Sequence, residues 1–597
     1  MSSVEKKPHL GSTLSFRHLS YQADTKGSKG RLLVDDVSLT VRAGELLAIL
    51  STLLDIMAFR KSPLEGASAS LNGETLTAKS MQKVSTFVEQ EDALLGVLTV
   101  RESVSYALRL HLPLLSRRDI AARVNRVLTA LGLQSCADQR IGTPISRGVS
   151  GGQKRRVTAA CAMVTFPRIL LLDEVTSGLD STSAREVMSA IRTLAIAEGM
   201  IVIATIHQPS LETLAQFTDI LLLAEGRTCF CGKVDELEGF MERWGHPVGK
   251  FTTPSDHAMN FLNADFAEST GSDATVNVRA FREFYLSTLP AETVAVAVAA
   301  PPPSIPETEH GQAGLLGTLV WNTLVLSERT AVNYSRNLLA YGVRIGMYAG
   351  MGLMLATIWI RLGTDDSTIN DRLSVHFFSV AFLAFVLLEE RAVYYRETKN
   401  GLYSTLPFVL SNTLVNMPFL FICTVLFTLI SYWAIGLHPG GAAFFRFLAF
   451  LYLAILAAES QMLIIASLIP IFVAALAIGA FVNGFWMSVG GYFIKARSLP
   501  RFWFFSFHYM DYQRYAFELL ANSDLRGLSF RCVTSLNGAC VCAYPSSTPE
   551  LCTVSGGDVL RYLEIGDISY GKWAAILIGI TLIFRIGLYF ALKARSK

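Results

Sequence analysis

The chain has 597 residues, 51% hydrophobic and 17% charged, with a formal net charge of +3. That length exceeds what one hydrophobic core organises. So small a charge on so long a chain argues for no nucleic-acid partner. Residues 1–267 are mixed in polarity, whereas 341–591 carry long apolar runs, so a soluble half is expected to precede a membrane half. No repeat of solenoid period is present.

The N-terminus, Met1-Ser2-Ser3-Val4-Glu5-Lys6-Lys7, has no apolar stretch and reads as no secretory signal, so the first half is expected in the cytosol. The strand Leu46-Leu47-Ala48-Ile49-Leu50 runs directly into Ser51-Thr52-Leu53-Leu54-Asp55. A phosphate loop reads Gly, four variable residues, Gly, Lys, then a Ser or Thr that ligates magnesium. With Ser51 as that last residue, Gly44 falls at the first glycine's offset, but Ile49 and Leu50 stand where the second glycine and the lysine belong. Apolar side chains neither open backbone N–H groups to phosphate nor carry the lysine's charge. Lys61 lies too far on to replace it. The plain reading is a loss of roughly seven residues between Leu50 and Ser51.

Gln90, in Phe87-Val88-Glu89-Gln90-Glu91-Asp92, is a candidate magnesium ligand and sensor of the membrane half; a solvated loop residue is the plainer reading. In Val149-Ser150-Gly151-Gly152-Gln153-Lys154-Arg155-Arg156, a hydroxyl and two glycines open a helix whose positive end suits phosphate oxygens. Arg168-Ile169-Leu170-Leu171-Leu172-Asp173-Glu174 is a buried-strand pattern ending in two acids. There Asp173 is a candidate to hold magnesium through water and Glu174 a candidate base on the attacking water, although an apolar run before two acids is by itself common. Ser177-Gly178-Leu179-Asp180 follows. His207 ends the strand Met200–Ile206 and precedes Gln208-Pro209-Ser210, where an imidazole can bond a γ-phosphate and steer Glu174.

Residues 268–314 contain Glu268-Ser269-Thr270-Gly271-Ser272 and Pro301-Pro302-Pro303 and read as a flexible or partly extended linker. Residues 315–335 suit either an amphipathic interfacial helix or a coupling helix against the first domain. The membrane domain, 315–597, has apolar runs near 341–360, 373–388, 409–432, 444–468, 470–493 and 572–591. Most approach the roughly 20 residues that cross a bilayer as helix; the second is short. Six spans put Arg391, Arg396, Lys399, Lys593, Arg595 and Lys597 on the cytosolic side, while Lys495, Arg497 and Arg501 run against the rule. Glu459 interrupts the fourth span, and so costly a residue in lipid suggests a coupling or cavity position, with helix packing as the role of Ser460 and Gln461. The aromatic cluster 502–509 suits an interface belt or a partly inserted external helix. The external segment 494–570 holds Cys532, Cys540, Cys542 and Cys552, four of the nine cysteines. They suggest one or two disulfides whose pairing spacing does not decide, with a cytosolic zinc site as the alternative.

In order and spacing these motifs resemble the ATP-binding cassette of ABC transporters. Ser150–Gln153 matches the family signature, Ile169–Glu174 the Walker B strand, Ser177–Asp180 the D-loop, Gln90 the Q-loop glutamine and His207 the switch histidine. The cassette-first order, Glu389-Glu390-Arg391-Ala392-Val393-Tyr394-Tyr395-Arg396-Glu397 and Gly401-Leu402-Tyr403 are similar to G-subfamily half-transporters of the White/pleiotropic-drug-resistance type. The resemblance implies a multidomain α/β plus all-α membrane protein: a P-loop-type ATPase domain followed by six transmembrane helices. It also implies ATP and Mg2+ as cofactors, a homodimeric or heterodimeric half-transporter partner, a lipid bilayer and export of a lipid, sterol or apolar xenobiotic, at the plasma membrane rather than an internal one.

In such dimers each ATP lies between the phosphate loop of one cassette and the signature of the other. A homodimer of this chain then has two signatures and no loop. Three readings follow: an incomplete copy of an ordinary ATPase, which the shortened second span before Glu389-Glu390 also suggests; a one-sited subunit of a heterodimer; or a non-transporting scaffold.

Overall fold

The computed structural model describes residues 11–23, 32–50, 53–64, 66–113, 115–143, 146–250, 252–262, 274–289, 314–381, 390–534, 540–566 and 568–595. Ser51, residues 382–388 of the second apolar run, and 268–273 and 290–313 of the linker therefore lie outside the described residues. The chain forms two compact units, Met1–Val325 with Val393–Tyr403, and Leu326–Ala392 with Ser404–Lys597. The division falls inside the helix Leu315–Arg336, whereas the sequence pattern puts it at 314/315.

Strands β1 (Thr13–Gln22), β2 (Leu32–Arg42), β3 (Leu46–Leu50), β4 (Ser68–Leu71), β5 (Glu74–Thr75), β6 (Ser85–Val88), β7 (Ile169–Leu172), β8 (Ile201–Thr205), β9 (Asp219–Ala224) and β10 (Arg227–Lys233) build the first unit's two main sheets. One is antiparallel, in the order β2-β1-β4-β5; the other runs β10-β9-β3-β8-β7-β6 and is parallel except for β10. Strands β3, β7 and β8 are continuous apolar runs because both faces of a parallel sheet are covered. Leu46, Ala48, Leu170, Leu172, Val202 and Ala204 enter one core, and Leu47, Ile49, Ile169, Leu171, Ile201 and Ile203 the other. Burying each Leu or Ile contributes about 1.5–3 kcal/mol. A one-residue slip would exchange the two sets, so register is tightly specified.

That register corrects the alignment of the phosphate loop. Ile49 pairs with Thr205 and Leu50 with Leu222, so both are strand residues rather than altered loop residues. Gly44, at φ 82°, forms the turn entering β3 and donates to the Met200 carbonyl at 2.9 Å, at the opposite end of the strand from residue 51. It is a turn glycine.

The linker assignment is corrected in part. Ala274–Thr288 is a helix, and its Val278, Phe281 and Tyr285, an i, i+3, i+7 stripe, are buried in the core against Phe240. Turn-forming residues before it and prolines after it mask this stripe. Trp321 donates to the Arg109 carbonyl at 3.0 Å, which places the start of Leu315–Arg336 against the rest of the first unit.

In the second unit, four described helices are long and apolar enough to cross a membrane: Thr405–Ile435, Gly441–Leu468, Phe472–Val489 and Tyr570–Arg595. Val343–Ile358 is shorter, because the chain turns at Trp359–Arg361, where Arg361 takes φ 48°; a π-helical turn, Leu338–Gly342, precedes it. The second apolar run begins as Ile369–Ala381. Within 494–570 the helix Tyr512–Leu525 is buried along its whole length, while Phe502 and Phe505 are exposed.

All four cysteines of that segment pair, Cys532 with Cys542 and Cys540 with Cys552, which leaves no thiolates for a zinc site. Replacing Cys540 and Cys552 by serine is expected to cost about 2–4 kcal/mol locally. Limited proteolysis should then cut within 526–563 under conditions in which the parent chain resists.

Candidate functional site

Ligands of open parallel sheets bind beyond the carboxyl ends of the strands. Three such ends supply the cluster: Gln90 follows β6, Asp173 and Glu174 follow β7, and His207 follows β8. Gln90 Nε2 donates to Glu174 Oε2 at 2.7 Å. Thr205 joins the two acids, its hydroxyl accepting from the Glu174 N–H at 2.9 Å and donating to Asp173 Oδ1 at 2.8 Å. Glu174 takes φ 45° and Gln208 φ 44°, a left-handed backbone that non-glycine residues adopt at a cost of about 1–3 kcal/mol and that clusters at functional sites. His207 is exposed and lines, with Glu174, Ser177, Gln208, Thr253 and Asp256, a cleft of about 680 Å³. A carboxylate that can accept a proton and an imidazole thus face one cleft, and the Gln90 carboxamide is bonded to that carboxylate.

Ser150 caps the helix Gly151–Met163. Its hydroxyl accepts from the Gln153 N–H at 3.3 Å while its own N–H donates to Gln153 Oε1 at 2.9 Å. The first turn carries no acid, and a Cβ on Gly151 would meet nothing within 4 Å, so this helix start is open to an anion. On Gly152 a Cβ would lie 3.4 Å from Leu179, which ties the signature to the D-loop. Asp180 in that loop caps the next helix, and the Ser183 N–H it accepts holds its carboxyl below the usual range.

The carboxyl end of β3 is different. Leu53 caps the four-residue helix Leu54–Met57 without a side-chain hydrogen bond, and its first turn holds Asp55, the wrong sign for phosphate. Lys61 is drawn to that acid, Nζ to Oδ2 3.2 Å. The described residues here do not fit a nucleotide triphosphate, whereas those around Ser150 do. Ser51 lies outside the described residues, Glu459, Cys532, Cys540, Cys542 and Cys552 belong to the second unit, and the remaining site residues lie in the first.

Sequence reasoning missed three groups. Thr205 is one, a lone hydroxyl at the end of an apolar strand. Arg155 is another, 4% exposed among the signature helix's residues. The third is the segment 393–403, which joins the ATPase unit although the membrane half surrounds it in sequence. The Asn400 carboxamide accepts from the Phe87 N–H at 3.1 Å and donates to the Phe87 carbonyl at 2.9 Å. Gln82 donates to the carbonyls of Thr398 and Lys399, at 3.1 and 2.9 Å. Arg60 lies 3.7 Å over the Phe87 ring and pairs with Glu89 at 2.8 Å, and Lys399 is 3.9 Å from the same carboxylate. Phe87 and Glu89 stand just before Gln90, so this seat adjoins the cluster of Gln90 and Glu174.

Glu459 is buried in the second unit, where Arg344 Nη2 pairs with it at 2.9 Å and Asn416 also donates to it. Tyr334 donates to Asn416 at 3.4 Å. Ser460 bonds its own helix and Gln461 accepts from Trp486 at 2.8 Å, both packing roles.

Residues 34–177 match the ABC transporter family and residues 322–524 the ABC-2 type transporter family. ABC transporter G family member 11 of Arabidopsis thaliana is 32% identical over 595 residues, covering 94% of this chain and 81% of that protein. ABC transporter G family member 1 of Petunia hybrida is 31% identical, with 92% of this chain and 87% of that one covered. Member 8 of the Arabidopsis thaliana family is 29% identical, with 94% and 92% covered.

Proposed function

Because the chain belongs to the ABC transporter G family, as an ATP-binding domain followed by an integral membrane domain, we propose that it exports a lipid, sterol or apolar xenobiotic as one half of a dimer whose other half supplies the phosphate loop. Magnesium-bound ATP, gripped by that loop, supplies the free energy. This chain's contribution is the signature face, where the Ser150 hydroxyl and the open backbone at Gly151 and Gly152 receive phosphate oxygens. Gln90, held on Glu174, reports to the seat of residues 393–403. The plasma membrane is the proposed location.

The observation that carries this reading is the contrast between the two phosphate-facing ends: an open, capped signature helix, against a β3 end that offers Leu53, Leu54 and Asp55. Purified alone in lipid, the chain is expected to hydrolyse no ATP above background. Paired with a loop-bearing G-family half-transporter it should do so, and Ser150→Ala here should lower the pair's rate about tenfold or more. Activity of the chain alone would defeat the reading.

One observation favours a second reading, an incomplete copy of an ordinary ATPase: Gln90, Asp173, Glu174, Thr205 and His207 stay assembled at a half-site that lacks its loop. A transcript carrying a Gly-rich, Lys-containing segment between codons 50 and 51 would establish it.

A further inference from the structure

We propose that Arg155 is the positioning residue that couples the signature helix to the seat of residues 393–403. Its guanidinium, buried on the helix Gly151–Met163, reaches two other segments, 174–175 and 89–92. Nε donates to the Val175 carbonyl at 3.3 Å and Nη2 to the Glu174 carbonyl at 2.9 Å. Nη1 donates to the Glu89 carbonyl at 3.1 Å and to Asp92 Oδ1 at 3.2 Å. One turn along the same helix, Thr158 donates to that Asp92 oxygen at 2.7 Å, so two adjacent turns grip the segment 89–92.

Glu89 is held from both sides. Its carbonyl belongs to Arg155, and its carboxylate to Arg60 and, more loosely, Lys399. Ser150 and Arg155 stand on one rigid helix about 7.5 Å apart along the axis. A displacement at Ser150 therefore moves Arg155, the Glu89 peptide and the Asn400 seat together, without passing through the β3 end. That route lets a chain with no phosphate loop of its own transmit closure on a nucleotide held by its partner; this consequence rests on the functional reading above. Arg155 touches no phosphate in this arrangement, since all its hydrogen bonds are internal.

The test uses the full-length chain in lipid nanodiscs. Hydrogen exchange in Arg155→Gln is expected to rise about tenfold in peptides covering 85–92 and 393–403, with β1 and β2 unchanged and Arg155→Lys intermediate. A rise confined to 85–92, or one spread evenly over the unit, would overturn the proposal. In a pair with a loop-bearing half-transporter, Arg155→Gln should lower kcat about tenfold and leave the KM for ATP within about twofold. A raised KM at unchanged kcat would overturn it by assigning Arg155 to nucleotide binding. If the parent pair hydrolyses no ATP, the functional reading fails and the exchange pattern alone decides the role of Arg155.

Discussion

Inserting a Gly-x-x-x-x-Gly-Lys segment between Leu50 and Ser51 is expected to raise the ATPase rate of the purified chain by at least about a hundredfold, since single preorganised donors to developing charge contribute factors of that size. The sheet needs no rebuilding to accept it. β3 already lies between β8 and β9, with Leu50 paired at its carboxyl end, and Asp173, Glu174 and Gln90 stand at the carboxyl ends of β7 and β6 in the same sheet. Adding Glu174→Gln to the restored chain should abolish the gain while ATP binding, followed by a fluorescent nucleotide, persists. A restored chain that binds ATP but stays inactive would place the defect beyond the loop.

The second large effect concerns Glu459. Replacing it with leucine strands Arg344, which is itself 7% exposed, and removes the acceptor of Asn416. Breaking a buried ion pair from one side costs about 3–5 kcal/mol, whereas replacing both partners by apolar residues of similar volume is often neutral. Glu459→Leu should therefore sharply lower the thermal unfolding temperature in detergent, and Arg344→Met with Glu459→Met should recover most of it. If the double variant is stable but exports no substrate, the pair serves transport as well as packing. If it is stable and active, Glu459 is a packing residue alone.

Features that depend on local chemistry were legible in the sequence. The apolar runs of β3, β7 and β8, the acids at the end of β7, and the Ser150–Gln153 spacing of a capping box each follow from neighbours a few residues apart. What escaped depends on partners distant in the chain. Arg155 looks like one more surface base until its contacts with Glu89 and Glu174 are drawn, and Asn400 acquires its role only beside Phe87, 313 residues away. The stripe Val278, Phe281, Tyr285 is local and was available, but composition outweighed periodicity there. Cysteine pairing also escaped although the partners lie only 10 and 12 residues apart, because spacing alone permits every combination.

Asn400 has a further consequence for the edge of the first unit's sheet. β6 is the last strand of its sheet, and a bare strand edge is a template on which another chain can pair. By offering one acceptor and one donor to the two sides of Phe87, the Asn400 side chain imitates a single residue of a missing neighbouring strand. The segment 393–403 thus covers part of the edge of the unit it joins. A fragment ending at Val325 would lack residues 393–403 and carry β6 as a bare strand edge.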